Sequence, residues 1–193
     1  MSLTNYTVDD RGVALIQFDR EKALNAINVE MLNELNAHIA SARDDEAVRV
    51  LVFSSTDYMA FSAGADLKED LDEAGRIERM QLFADLYDGV VAFPKPTIAA
   101  VNGVAVGVGV THILPMDIRI ASENARFGFS FVKMALVPEL ASSYFLPQLL
   151  GLGRAQEWCL TARMVEGEEA LRAGLVSEVV PHEQLIARAC ELG

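Results

Sequence analysis

Cysteine and histidine are scarce in this chain of 193 residues, which contains two cysteines and three histidines. Cys159 and Cys190 have neither the spacing of a disulfide framework nor that of a metal site, and no pair of histidines has metal-ligand spacing. The sequence therefore predicts no metal site. It favours a reducing compartment, and we expect a cytoplasmic protein.

Basic residues are also few. Sixteen lysines and arginines against 28 aspartates and glutamates give a net charge of −12, and no basic run offers a footprint for phosphates. We therefore expect neither a nucleic-acid partner nor an anionic-membrane partner. The first residues lack a signal-peptide pattern, and the uncharged stretch 97–116 is broken by Asn102, His112 and Pro115, which favours a buried strand and turn over a membrane span.

Several catalytic motifs are absent too. Gly103 is not followed by the Gly-Lys-Ser/Thr of a phosphate-binding loop, and Gly107-x-Gly109 lacks the third glycine of a dinucleotide fingerprint. Ser142 and Ser143 have no glycine-flanked elbow, so we interpret them as polar residues at a helix N-terminus. His112 is interpreted as a structural histidine.

What the chain does contain is an apolar fraction of 51% with 23% charged residues, typical of one globular domain over residues 1–193. Runs of β-branched residues alternate with helical periodicity, which predicts an α/β domain. The predicted strands are residues 6–8, 13–18, 48–53, 127–131 and 178–180, together with a β-rich apolar run from Ile98 and a strand that begins at Ile118. The predicted helices are residues 29–44 (capped by Asn28), 77–91 (stopped by Pro94), 142–150, 155–161, 168–173 (ended by Gly174) and 185–192.

Two glycine-bearing stretches carry the chemical interest. In residues 98–122 a turn from Gly103 to Gly109 precedes a short helical segment, and in residues 61–67 small residues precede Asp66, which we expect to open a helix. Such turns leave backbone N–H groups free. One donor from each stretch could hold a carbonyl oxygen and stabilise an enolate, where a single donor contributes ~3–4 kcal/mol. Taken alone, each stretch also fits a tight turn between core strands.

A family resemblance bears on that choice. Ordered blocks from Val13 onward read EKALNAIN, FSAGADLKE, PTIAAVNGVAVGVG, ARFGFSFVKMALVPELASSYFLPQLLG and MVEGEEALRAGLVSEVVP. They resemble the crotonase superfamily, also called the enoyl-CoA hydratase/isomerase family. The resemblance implies a ClpP/crotonase-like spiral of strand–strand–helix units, a homotrimer or hexamer, and an acyl-CoA thioester substrate. It implies no separate cofactor, because coenzyme A is part of that substrate.

The resemblance also implies site residues. Carried over by position, the backbone N–H groups of Ala65 and Val108 hold the thioester oxygen; Val108 replaces a glycine of the family turn, and its branched side chain restricts the backbone. Coenzyme A is expected to contact Lys22, Ala23, Leu24, Ala63, Gly64, Asp66 and Leu67.

Departures from the family pattern decide the expected reaction. Thr111 and Phe131 stand where the family hydratases have two glutamates, so the usual pair for water addition is missing. Glu139 instead resembles the single glutamate of peroxisomal-type delta-3, delta-2-enoyl-CoA isomerases. We expect Phe131, Leu136 and Leu140 to raise the pKa of Glu139, so that one carboxylate moves a proton from C2 to C4.

The leading hypothesis is therefore a delta-3 to delta-2 enoyl-CoA isomerase. A hydratase that uses Glu139 alone and a non-catalytic CoA-binding homologue are the alternatives. The chain stops at Gly193, short of the family's usual length. We therefore expect the family's C-terminal helical segment, which helps form the trimer and covers part of the ligand site, to be missing. Either this chain is a fragment, or its acyl pocket is open and its assembly is altered.

Overall fold

A computed structural model describes residues 2–193, in which ten strands form two sheets and seven α-helices pack around them. The strands are β1 Thr4–Val8, β2 Val13–Phe18, β3 Val50–Ser55, β4 Ala60–Ser62, β5 Thr97–Val101, β6 Val104–Val106, β7 Ile118–Ser122, β8 Arg126–Gly128, β9 Met164–Glu166 and β10 Glu178–Val180. The helices are α1 Val29–Asp44, α2 Glu73–Val91, α3 Val108–Thr111, α4 Ser142–Leu150, α5 Leu152–Thr161, α6 Gly167–Ala173 and α7 Leu185–Leu192.

The chain winds as a repeated unit of two strands and a helix. The larger sheet has the order β1-β2-β3-β5-β7-β10, and the smaller sheet has the order β4-β6-β8-β9. Each of β3, β5 and β7 lies in the larger sheet and is followed by a short strand of the smaller sheet and then by a helix. This spiral confirms the predicted crotonase-like α/β fold.

The larger sheet is covered on both faces, because successive side chains of its strands point to opposite faces and both faces are apolar. Val50, Val52 and Ile98 pack with Leu185 and Ala189 of α7 in one cluster. The intervening residues, such as Leu51 and Phe53, join α1, α2 and the smaller sheet in the main core. The smaller sheet is thereby held against the larger one.

Helix boundaries follow local signals closely. Asn28 caps α1 by accepting a hydrogen bond from the Met31 N–H, and Gly174 ends α6 in the left-handed conformation at φ 86°. The apolar spacing of residues 77–91 predicted a helix correctly, but not every apolar residue with that spacing is buried. Ile77 and Met80 are 62% and 72% exposed, whereas Leu86 and Val90 are buried.

Three details of the prediction were wrong. Asp66 does not open a helix, because its carboxylate accepts hydrogen bonds from Arg20 and the Lys68 N–H and shapes a turn; α2 begins later, capped by Asp72. The strand predicted for residues 127–131 ends at Gly128. Strands β4, β6 and β9 were missed, and β6 lies inside the predicted turn from Gly103 to Gly109, since three residues are too short a pattern.

Between residues 2 and 193, no helix combines the length and apolarity required to cross a bilayer.

Candidate active site

The two glycine-bearing stretches meet because they follow adjacent parallel strands. Ser62 of β4 pairs with Ala105 of β6 in parallel register. Three residues further along each chain segment are Ala65 and Val108, and both line one cavity. The register of the smaller sheet therefore places these two residues side by side at the carboxyl end of its strands.

The Val108 N–H points out of the first turn of α3. The Gly107 carbonyl, in the same trans peptide, accepts hydrogen bonds from the Val110 and Thr111 N–H groups, each at 2.9 Å. Because the N–H and C=O of a trans peptide are opposed, the Val108 N–H is directed away from the helix. Gly107 has φ 54° and ψ −128°, a conformation open to glycine, so Val108 itself needs no unusual backbone.

The Ala65 N–H is oriented in a similar way. The Gly64 carbonyl accepts a hydrogen bond of 2.7 Å from the Ile27 N–H, which turns the Ala65 N–H to the opposite side. Gly64 has φ 95°, and a Cβ there would lie 2.7 Å from the Val106 carbonyl oxygen. In the described part of the chain, neither the Ala65 nor the Val108 N–H has an intramolecular acceptor.

The cavity beside these amides has a volume of about 270 Å³ and is lined mainly by apolar side chains. Its walls are Ala63, Gly64, Ala65, Leu67, Val106, Gly107, Val108, Ser130, Phe131, Lys133, Met134, Leu136 and Glu139. Among the described residues that line it, Glu139 is the single carboxylate. An apolar pocket with a few polar groups suits a small ligand with one reactive polar centre.

Glu139 is held at both its main chain and its side chain. The Thr111 hydroxyl donates to Glu139 Oε1 over 2.9 Å, and the Glu139 carbonyl accepts from the N–H and the hydroxyl of buried Ser142. Leu140 and Ala141 follow at φ 44° and 54°, left-handed conformations that cost ~1–2 kcal/mol each for such residues. Strained backbone of this kind persists where surrounding contacts fix it, often at functional sites.

Burial raises the pKa of the Glu139 carboxyl above the usual glutamate range, and the Thr111 hydrogen bond offsets part of that effect. The predicted direction is therefore confirmed. Phe131 and Leu136 line the same cavity, and Leu140 packs against the core beside it.

Thr111 and Phe131, which the resemblance aligns with the two glutamates of the family hydratases, also lie at this site. Thr111 is fully buried and contacts Glu139, while Phe131 is buried in the cavity wall. On that alignment a hydroxyl and a phenyl ring stand in place of two acids, and Glu139 reaches the cavity from the loop before α4. No local sequence signal predicts the contact between Thr111 and Glu139, because the two residues are 28 positions apart.

A second cavity, of about 570 Å³, adjoins the first and shares Ala63, Ala65 and Leu67 with it. Its remaining walls are Arg20, Lys22, Ala23, Ala26, Asn28, Asp66, Lys68 and Glu69. The sequence did not point to Arg20, Lys68 or Glu69 as part of this site, and it identified Asn28 only as a helix cap, because these residues come together only in the fold.

Two predicted CoA contacts play different parts here. Burial alone would raise the pKa of Asp66, but hydrogen bonds from Arg20 and from the Lys68 N–H lower it below the usual range. The Arg20 Nη1–Asp66 Oδ2 distance is 2.6 Å, so this pair forms part of the cavity wall. Leu24 is 47% exposed and lines neither cavity; its carbonyl accepts from the Ala63 N–H and supports the loop.

His112 is fully buried next to the site, and its Nδ1 lies 2.6 Å from the Val108 carbonyl oxygen. Its interpretation as a structural histidine is supported by this contact. Over residues 2–193, no cluster of three or more His, Cys, Asp or Glu side chains has the arrangement of a metal site.

Comparison with known proteins places the sequence and the fold in one class. The sequence model of the enoyl-CoA hydratase/isomerase family matches residues 9–193. The chain is 38% identical to enoyl-CoA hydratase ACTT3 of Alternaria alternata, over 95% of this chain and 63% of that protein. It is 36% identical to the short-chain-enoyl-CoA hydratase of Clostridium acetobutylicum, over 100% of this chain and 75% of that protein.

Solved structures agree with the sequence relatives. An enoyl-CoA hydratase from Bacillus anthracis superposes with a TM-score of 0.91 at 32% identity, covering 98% of this chain and 74% of the other. DspI of Pseudomonas aeruginosa superposes with a TM-score of 0.91 at 31% identity, covering 100% and 73%. The chain belongs to the enoyl-CoA hydratase/isomerase family of the crotonase superfamily. It spans less than two thirds of the first of these curated relatives.

Proposed function

We propose that this protein is an acyl-CoA isomerase that converts a 3-enoyl-CoA thioester into the conjugated 2-enoyl-CoA. The observation that supports the proposal is that one carboxylate, Glu139, shares a mainly apolar cavity with the N–H groups of Ala65 and Val108. A single base in the same cavity as two free amide donors suits proton transfer next to a carbonyl group, because the donors stabilise the charge that develops on the carbonyl oxygen.

The first step is removal of a proton from C2. Glu139 takes the proton, the C2–H electron pair moves into the thioester, and a dienolate forms whose charge resides on the carbonyl oxygen. The Ala65 and Val108 N–H groups stabilise that oxyanion, and each donor contributes ~3–4 kcal/mol to such a transition state. The raised pKa of Glu139 makes it a stronger base than an exposed glutamate.

The second step returns the proton to C4. Protonated Glu139 donates to C4 as the double bond shifts to C2–C3, so the carboxylate is regenerated and no proton is gained or lost overall. The reaction requires no separate cofactor, since coenzyme A is part of the substrate. The apolar walls formed by Phe131, Met134 and Leu136 suit the hydrocarbon part of the acyl group.

We assign the coenzyme A portion to the second cavity. Lys22 and Lys68 supply positive charge there in a protein whose net charge is −12, whereas the charge of Arg20 is paired with Asp66. The phosphates of coenzyme A require such local cations. By analogy with the family, the active assembly is a homotrimer or hexamer.

A second candidate function is hydration of a 2-enoyl-CoA, with Glu139 alone activating water. The names of the relatives favour it, because the proteins of Alternaria alternata and Clostridium acetobutylicum are both called enoyl-CoA hydratases. The lining of the cavity favours isomerisation, because it offers one carboxylate rather than two.

Pure 2-enoyl-CoA and 3-enoyl-CoA thioesters, supplied separately, distinguish the candidates. The isomerase converts the 3-enoyl thioester into the conjugated product, and the conjugated absorbance rises. A hydratase instead consumes the 2-enoyl thioester, and that absorbance falls while a 3-hydroxyacyl-CoA accumulates. Coenzyme A binding without turnover of either thioester would contradict both and indicate a non-catalytic homologue.

A further inference from the structure

His112 occupies an aromatic pocket next to the segments that carry the two amides. Its ring is completely buried and stacks on Phe61, with ring centroids 5.8 Å apart and an interplanar angle of 6°. Phe53 and Phe18 contact it at 6.1 Å and 5.8 Å between centroids. A polar ring inside an apolar pocket is costly unless its nitrogens are used.

One nitrogen of His112 is used at the site. Nδ1 lies 2.6 Å from the Val108 carbonyl oxygen, which also accepts from the His112 backbone N–H at 3.2 Å. Since a carbonyl oxygen is an acceptor only, Nδ1 carries the proton in this contact. The Gly107 carbonyl is already fixed by α3, so His112 fixes the second of the two peptide planes that flank Val108.

The same ring also contacts the strand that leads to the other amide. Phe61 belongs to β4 and lies four residues before Ala65. Helix α3 approaches this strand closely, because a Cβ at Gly109 would be only 2.4 Å from the Ser62 carbonyl oxygen. His112 thus connects Val108 by a hydrogen bond and β4 by stacking.

We propose that His112 is a positioning residue that sets the spacing between the Ala65 and Val108 N–H groups of the oxyanion hole. The inference rests on the proposed function of those amides, and His112 itself does not contact the substrate.

The environment of the second ring nitrogen, Nε2, distinguishes a positioning role of His112 from a purely structural one. His112 Nε2 is buried without a hydrogen-bond partner in the described part of the chain. Burial lowers the pKa of His112 to about 4, so the ring is neutral at pH 7. A phenyl ring would keep the stacking and remove the unpaired nitrogen, so the stability of the fold does not by itself require histidine here.

The test compares two ligands that differ only at the carbonyl, butyryl-CoA and its thioether analogue S-butyl-CoA. The ratio of their dissociation constants, measured by calorimetry, reports the oxyanion hole without requiring turnover. For His112→Phe we expect this thioester preference to fall several-fold, while the affinity for S-butyl-CoA stays within about twofold. We also expect kcat for a 3-enoyl-CoA to fall about tenfold with KM retained and the melting temperature not lowered.

His112→Asn and His112→Gln form a matched pair. The asparagine amide nitrogen falls near the position of Nδ1 and can donate to the Val108 carbonyl, whereas the glutamine amide falls near Nε2 and cannot. Asn should therefore retain more of the thioester preference than Gln. Circular dichroism establishes that each variant is folded, and this pair decides the question if His112→Phe does not fold.

A folded His112→Phe protein with unchanged thioester preference and kcat would overturn the inference, as would equal preferences in the Asn and Gln variants. Wild-type protein that binds S-butyl-CoA as tightly as butyryl-CoA would instead contradict the oxyanion hole, and with it the proposed function. The two failures are therefore distinguishable.

Discussion

The Thr111 hydroxyl donates a hydrogen bond to Glu139 Oε1 over 2.9 Å, and this hydrogen bond links helix α3 to the loop before α4. The contact fixes one carboxylate oxygen and leaves Oε2 available to a ligand in the cavity. It also stabilises the charged form of the carboxyl and so offsets part of the rise in the pKa of Glu139 that burial causes.

Thr111→Val tests this contact, since valine keeps the volume of threonine and removes the hydroxyl. We expect the pKa of Glu139 to rise further and kcat at neutral pH to fall about tenfold, because a hydrogen bond to a charged group contributes ~1.5–3 kcal/mol. Thr111→Ser is the matched control and should retain most of the activity. Equal activities of the Val and Ser variants across the pH range would exclude a role for the hydroxyl.

The pH dependence of the reaction follows from the same carboxyl. Glu139 acts as a base only when ionised, and its pKa lies above the ordinary range, so kcat/KM should rise with pH along a limb displaced upward from about 4.3. The folded state holds this proton more tightly than the unfolded state, so stability should decrease as pH rises through the same window. Rate profiles and urea unfolding measured from pH 4 to 8 check both signs; a limb at the ordinary glutamate value would contradict the assignment.

Gly64 is predicted to tolerate no side chain. In Gly64→Ala the Cβ would meet the Val106 carbonyl oxygen at 2.7 Å, at a φ of 95°, so the peptide that carries the Ala65 N–H must shift. We expect a loss of ~1–3 kcal/mol in the free energy of unfolding and a fall in kcat of at least about tenfold. The control is Gly153→Ala in α5, where nothing lies within 4 Å of the new Cβ; it should leave activity unchanged. Retained activity in the Gly64 variant would show that the Ala65 N–H is dispensable.

Lys22 is predicted to contribute to coenzyme A binding. It is exposed on the wall of the second cavity, so Lys22→Gln should raise KM for acyl-CoA several-fold while kcat stays the same. The effect should weaken with added salt, because exposed charges are screened. Arg154→Gln, an exposed change in α5, is the control. If both variants have the wild-type KM at low salt, the second cavity does not hold the phosphates.

Features encoded in neighbouring residues could be predicted from the sequence. Asn28 and Gly174 marked helix ends because a cap is a contact over a few positions. Asp66 misled for the opposite reason: its side chain is engaged by Arg20, 46 positions away, and not by a following helix. Ile77 and Met80 have helical spacing, but only the packing of α2 against α1 decides which face is buried.

The candidate site likewise combines features that neighbouring residues encode with features that only the fold determines. The glycine turns and the unusual Glu139 could be identified in the sequence, together with the family that they resemble. The side-by-side placement of Ala65 and Val108 depends on the register of β4 and β6, and the contacts of Thr111 and His112 depend on how α3 packs. These are tertiary facts that no local pattern specifies.

The proposed reaction depends on one carboxylate, that of Glu139, for both proton transfers, and the substitution Glu139→Gln is its direct test. The measurement is steady-state turnover of 3-hexenoyl-CoA, with Glu30→Gln on the exposed side of α1 as the control. We expect kcat of the Glu139 variant to fall by about 10²–10⁴, with KM and the circular dichroism spectrum retained. Full turnover by that variant would contradict the proposed reaction.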